Sequence, residues 1–130
     1  MTMNIINPQR FNNLLKQAQS APFTGWDFNW LSGRMDEEAP PWDFAQLVRN
    51  YIPKARALLD MGTGDGEFLS SLAPLPADTH ATESYKPNLP IAQNRLYPLG
   101  VSVHHISDDA DLPFGNQRFS LIINRHESYN

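Results

Sequence analysis

Along the second half of the chain apolar residues fall in short blocks, and the period of the blocks keeps changing. "ARALLDM", residues 55–61, is a continuous apolar run stopped by Gly62, the pattern of a strand buried on both faces. "GEFLSSLA" reads as a helix closed by Pro74, "DTHATES" as a strand, and "PNLPIAQNRLYPLG" as a helix ending at Gly100. "VSVHHIS" alternates as a strand does, "DDADLPFGNQR" is a loop or short helical turn, and "FSLIINR" is a strong strand. A β-α-β-α-β-loop-β order calls for right-handed crossovers and a parallel sheet covered on both faces. The expected class is α/β: a Rossmann-like three-layer sandwich with a mostly parallel sheet.

The first half follows a different pattern. "NPQRFNNLLKQAQ" predicts a short helix, with Asn7 as its N-cap and Pro8 in its first turn. Phe11, Leu14, Leu15 and Ala18 follow i, i+3, i+4, i+7 spacing and predict a buried stripe. Pro22 and Gly25 break it. The aromatic, acidic segment that follows predicts a loop packed on something, because Trp26, Phe28, Trp30 and Trp42 are too apolar to be left wet. Pro41 is placed to open a second helix with Phe44, Leu47, Val48 and Tyr51 on one face. The division expected is residues 1–52 as a helical, aromatic lid or cap and residues 53–130 as a ligand-binding α/β part.

Composition narrows the function. At 130 residues the chain has room for one modest domain with a core. A net charge of −4 argues against a broad nucleic-acid face. With no cysteine there is no disulfide, thiolate metal site or cysteine nucleophile, which fits a cytoplasmic protein. The N-terminus shows no signal-peptide pattern, and no apolar run approaches the roughly 20 residues that cross a bilayer.

The chemistry is concentrated in "LLDMGTGDGEF". A loop leaving a buried strand for a helix needs glycine where the backbone takes positive φ or comes close to a ligand. The following helix would turn its free N–H groups toward an anion. Gly62, Gly64 and Gly66 therefore predict a nucleotide-like or carboxylate-bearing ligand over the end of the strand. The dinucleotide fingerprint G-x-G-x-x-G is not met, because Glu67 stands where its third glycine belongs.

The pattern "DMGTGDG" resembles the first motif, acidic-x-G-x-G-x-G, of the class I S-adenosylmethionine-dependent methyltransferases. The resemblance runs from about Trp26 to the end. "NRHESY" and "GRM…PPW" look like those of a small bacterial, methyltransferase type 11-like subgroup. It implies S-adenosylmethionine as cofactor, with Asp60, Gly62, Thr63, Gly64 and Gly66 around its methionine part. Glu83, at the end of the second strand, suits the ribose diol, since one carboxylate accepts two hydrogen bonds. Ser84 and Tyr85 would flank the adenine. "SDDADLPFGNQRFSLII" resembles the family's passage into strand four and implies Asp108 on the adenine amino group and the Asp109 N–H on a ring nitrogen. Asp111 is the alternative adenine contact. Ser120 replaces the family's usual Asp, and a local change of hydrogen bonding is expected there.

Other polar residues divide into structural and functional candidates. His104 and His105 are strand neighbours that point to opposite faces, so they cannot chelate one metal and are read as structural. No metal site is expected. "NRHE", Asn124 to Glu127, lies at the end of strand four. His126 is the candidate general base, with Glu127 or Arg125 to orient it or the substrate, but capping the strand and holding the N-terminal segment is the favoured reading of the group.

The family sheet runs 3-2-1-4-5-7-6, and only the strands of the 3-2-1-4 part are found in the sequence. Strands five to seven are absent, so the expectation is a fragment of a longer protein or a truncated domain whose open apolar strand-four edge leaves it to aggregate, to form a homo-oligomer through that strand, or to be marginally stable alone. The expected activity is methyl transfer to a small molecule or other unknown acceptor. The alternatives are a binding-only remnant and a nicotinamide-dependent oxidoreductase. No membrane partner is expected.

Overall fold

Ala57–Met61 forms strand β1, buried along four of its five residues, as its unbroken apolar run predicts. It is an inner strand of a four-stranded sheet that also contains β2 (Asp78–Glu83), β3 (Ser102–His105) and β4 (Leu121–Asn124). The order is β3-β2-β1-β4, and every pair is parallel. Asp60 lies opposite Ala81 of β2, and Met61 opposite Asn124 of β4, so the carboxyl ends of β1, β2 and β4 open onto the same edge of the sheet. The computed structural model describes residues 7–25, 27–108 and 110–127.

Three helices accompany the sheet: α2 (Phe44–Tyr51), α3 (Glu67–Ser71) and α4 (Leu89–Leu96). Val48, Leu69, Leu72, Ala92 and Leu96 from these segments meet Leu58, Ala81, Val101 and Ile123 in one buried cluster. Leu58, Leu69 and Leu96 are fully buried, each contributing roughly 1.5–3 kcal/mol of transfer free energy. Gly100, at φ +78°, ends the α4 segment in the left-handed conformation that glycine takes without a Cβ penalty.

The second helix starts later than its proline predicts. Asp43, not Pro41, caps it: the Asp43 carboxylate accepts the Gln46 N–H at 3.0 Å. An acceptor on an orphan helix donor outweighs a proline's preset φ two residues earlier. Only Val48 of its expected face is buried, with Leu47 and Tyr51 exposed. Phe44 instead stacks on Phe68 of α3 at 5.6 Å. This helix belongs to the sheet's own unit: the chain divides into one compact unit through Asp36 and another from Glu37, rather than at residue 52.

The first unit contains α1 (Pro8–Gln19), capped as predicted by Asn7, whose side chain accepts the Gln9 N–H at 2.9 Å. Its apolar stripe forms with the expected spacing, but none of its residues is buried, and Phe11, Leu14 and Leu15 stand exposed. Helical periodicity sets which residues share a face; it does not supply the surface that covers them. The aromatic segment is likewise wetter than predicted. Phe28 and Trp42 are exposed, whereas Trp30 is half-buried, edge-on to Phe23 at 5.7 Å and beneath the Arg34 guanidinium at 4.3 Å. Trp26 lies outside the described residues.

A polar cluster ties β2, β3 and the loop before β4 together. His80 Nδ1 lies 2.8 Å from His104 Nε2, and His80 Nε2 lies 3.0 Å from Asp78 Oδ1. Arg118 donates to both oxygens of Asp78 and so holds its carboxyl down at about 2, with His80 assisting. Phe114 and Phe119 pack edge-on around the two imidazoles. Partial burial, then the nearby His80, lowers the His104 pKa. His104 is thus a structural partner of His80, while His105 is exposed. Among the described residues no group of three or more His, Cys, Asp or Glu is placed to hold a metal, and no helix is long and apolar enough to cross a membrane.

Candidate functional site

The site is built where β1 ends. Gly62, Gly64 and Gly66 have φ of +71°, +66° and +78°, so all three occupy the left-handed region that the motif predicts. The loop is tied to β2: the Thr63 N–H donates to the Thr82 carbonyl at 2.9 Å, and the Gly62 N–H to Thr82 Oγ1 at 3.3 Å. The Gly66 N–H closes the turn on the Thr63 carbonyl at 3.1 Å.

The glycines do different work. A Cβ on Gly66 would stand 2.8 Å from Leu96 Cγ, so this glycine lets α4 pack against the loop. A Cβ on Gly62 would stand 1.9 Å from Glu127 Cγ and 3.0 Å from its Oε1. The first glycine therefore opens a space toward β4, and Glu127 lies in it. The expected anion site at the start of the following helix is not what the structure shows. α3 is only five residues long, and the Glu67 N–H donates to Asp65 Oδ1 at 2.9 Å. The other oxygen of Asp65 pairs with Arg95 at 2.7 Å. The chain's own carboxylate thus takes the place foreseen for a ligand's charge.

Asp60, at the end of β1, is 4% exposed. Burial raises its pKa to about 6; the Thr63 side chain and the Arg125 charge pull it down, and Glu83 adds a little upward. Thr63 is itself buried, and its Oγ1 is near enough to act on Asp60, yet it has no partner in hydrogen-bonding geometry.

Glu83 ends β2 and is 3% exposed. One oxygen accepts the Tyr85 N–H at 2.7 Å and the other faces Asn88 Nδ2 at 3.4 Å. Each carboxylate oxygen has a second lone pair, so both retain capacity to accept. Asn88 is buried and its Oδ1 has no hydrogen-bond partner. Sequence reasoning missed Asn88, Thr82 and Asp65. An asparagine inside the proline turn "ESYKPN" was the available signal for the first.

The third strand's loop stands apart from this arrangement. Asp108 is exposed, and its Oδ1 accepts the Ala110 N–H at 2.9 Å, an Asx turn. Ser84, Tyr85 and Asp111 are exposed, and Asp109 lies outside the described residues. Ser120 Oγ accepts the Arg56 and Ala57 N–H groups at 2.9 and 3.2 Å, tying the start of β4 to the entry of β1. At the end of β4, Asn124 accepts the Glu127 N–H at 3.0 Å and donates to its carbonyl at 2.8 Å. Arg125 lies 4.5 Å over the Phe68 ring, and His126 is exposed.

These residues fit an adenosyl amino acid at two of its three parts. Buried, unpartnered Thr63 Oγ1 lies in the glycine loop, and unpartnered Asn88 Oδ1 lies beside Glu83. The positions foreseen for the tail and the ribose thus offer unmet hydrogen-bonding capacity, whereas the position foreseen for the adenine, Asp108, is an exposed turn.

No family model and no curated protein matches the chain. Solved structures do. A functionally unknown protein from Deinococcus radiodurans R1 is 17% identical over 89% of this chain, with a TM-score of 0.56. The N-terminal domain of EvdMO1, crystallised in the presence of SAH and D-fucose, is 19% identical over 89%, with a TM-score of 0.52. Streptomyces venezuelae DesVI is 30% identical over 65%, with a TM-score of 0.47. The chain spans 52% of the first two structures and 34% of the third.

Proposed function

We propose that this α/β chain, with its parallel β3-β2-β1-β4 sheet, is of the class I S-adenosylmethionine-dependent methyltransferase type and binds S-adenosylmethionine across the carboxyl ends of β1 and β2 in support of methyl transfer. One observation carries the reading: three left-handed glycines within five residues leave β1 beside a buried glutamate that ends β2. A turn alone needs no buried carboxylate next to it, and a structural carboxylate needs no such turn. The EvdMO1 domain, which shares the fold, was crystallised in the presence of SAH, and that is consistent with the same ligand class here.

Asp60 and the Gly62–Gly66 backbone would hold the methionine part, Glu83 the ribose, and Asp108 the adenine. The bound cofactor supplies an electrophilic methyl on a cationic sulfur. The chain's task is to fix that group's position and limit water around it, since alignment in a dry site accounts for much of the rate of such a transfer.

Calorimetric titration tests the reading. S-adenosylhomocysteine is expected to bind with one site per chain and NAD to give no heat of binding. Binding of NAD in preference, or no binding of S-adenosylhomocysteine, would refute it.

A further inference from the structure

We infer that Glu127 is a specificity-determining residue of this site, the carboxylate that reads a cationic amino group on the ligand's amino-acid tail. The inference rests on the function proposed above and adds a residue to it. Its starting point is the contact at Gly62: Glu127 lies against the face of the loop that the missing Cβ of Gly62 leaves open. That placement follows from the fold. Met61 and Asn124 are paired across β1 and β4, and the turn from Asn124 to Glu127 is closed by two hydrogen bonds, so the backbone of Glu127 is fixed to the loop's own strand.

The carboxylate so placed makes no ion pair among the described residues. Its neighbourhood favours a cation. Asp60 and Glu83 are buried near the same strand ends, where the carboxylates outnumber the Arg125 charge that reaches Asp60 from over the Phe68 ring. A second observation marks the loop as a binding element: Thr63, the residue after Gly62, buries a hydroxyl oxygen without a hydrogen-bond partner. An α-ammonium brought to Gly62 would meet the Glu127 carboxylate and give a hydrogen bond between two ionised groups, which an anion or a group without a donor hydrogen there would not.

The test compares two probes on the full chain: S-adenosylhomocysteine, and its deamino analogue in which hydrogen replaces the α-ammonium. Glu127→Gln keeps size and shape, and its thermal unfolding is checked against wild type. The variant is expected to weaken S-adenosylhomocysteine about tenfold while leaving the analogue within about twofold. Equal change for both probes, or no change for either, overturns the inference. Tighter binding of S-adenosylhomocysteine also overturns it, since the side chain would then only occupy the ligand's place. If wild type binds neither probe, the proposed function fails and the inference falls with it; if wild type binds both equally well, only the inference fails.

Discussion

Two polar regions flank β2, and they differ in how fully their groups are partnered. At the start of the strand, Asp78, His80, His104 and Arg118 satisfy one another, with phenylalanines sealing the imidazoles. At its end, Glu83 retains capacity, Asn88 and Thr63 leave oxygens unmatched, and Asp60 is buried against its charge. Leaving a buried polar atom unpaired costs about 1–3 kcal/mol. A fold keeps such groups only where something else repays them: an ordered water, an ion or a ligand. Saturation therefore separates a clasp from a site more sharply than residue type does: His80 and His104, of a commonly catalytic residue type, sit in the clasp.

Breaking the unsaturated end at the loop should have the largest effect. Gly62→Ala places a Cβ in the space held by Glu127 and forces a side chain to adopt φ +71°. The expected cost is about 1–3 kcal/mol of stability, with S-adenosylhomocysteine weakened about 100-fold. Urea unfolding and calorimetry check both. Retained affinity would mean that no ligand approaches this glycine.

The loop and β1 could be read from sequence because their causes are local. Glycine at 62, 64 and 66 answers a backbone requirement, and the run 57–61 answers burial on both faces. The parallel order of the strands followed from alternation and handedness together with the family resemblance. What could not be read depends on who meets whom. Glu127 reaches Gly62 only through the β1–β4 pairing, Leu96 explains Gly66 only once α4 has folded back, and the His80–His104 pair spans two strands. The exposed stripe of α1 makes the same point in reverse: spacing identified a face, and no covering surface could be inferred from it. Asp65 shows how a local rule can be met by an unexpected group, since its side chain caps the helix that a ligand was expected to cap.

Acid titration sharpens the comparison, because the two regions carry opposite slopes. Asp60 ionises near 3.8 when unfolded and about 6 when folded. Between those values the folded chain keeps a proton that the unfolded chain has lost. Stability from this group therefore falls as pH rises from about 4 to about 6 and is level above. His104, with its pKa lowered by burial and His80, works the other way: it costs stability as pH falls below its ordinary 6.5. Asp60→Asn removes the first slope and leaves the second. The variant should match wild type near pH 4 and exceed it by at most about 3 kcal/mol at pH 7.5. Urea midpoints at pH 4, 6 and 7.5 measure this; parallel curves for the two chains would show that Asp60 does not titrate abnormally.

The smallest effect is expected in the saturated region. Arg118→Ala leaves Asp78 with His80 alone. Both members of the lost pair are partly open to solvent, so the pair adds little stability, and salt screens what it adds. The Asp78 carboxyl, now held at about 2, should return toward its ordinary value. A group with a depressed pKa contributes above its unfolded pKa of 3.8 and loses that contribution as pH falls through about 2. Any gap between wild type and variant at pH 7 should therefore close by about pH 2 and shrink in high salt. Affinity for S-adenosylhomocysteine should stay within about twofold, since the substitution removes no group from the glycine loop or Glu83. A tenfold loss would mean that the loop carrying Asp108 transmits the clasp's state to the site, and that the two ends of β2 are one device rather than two.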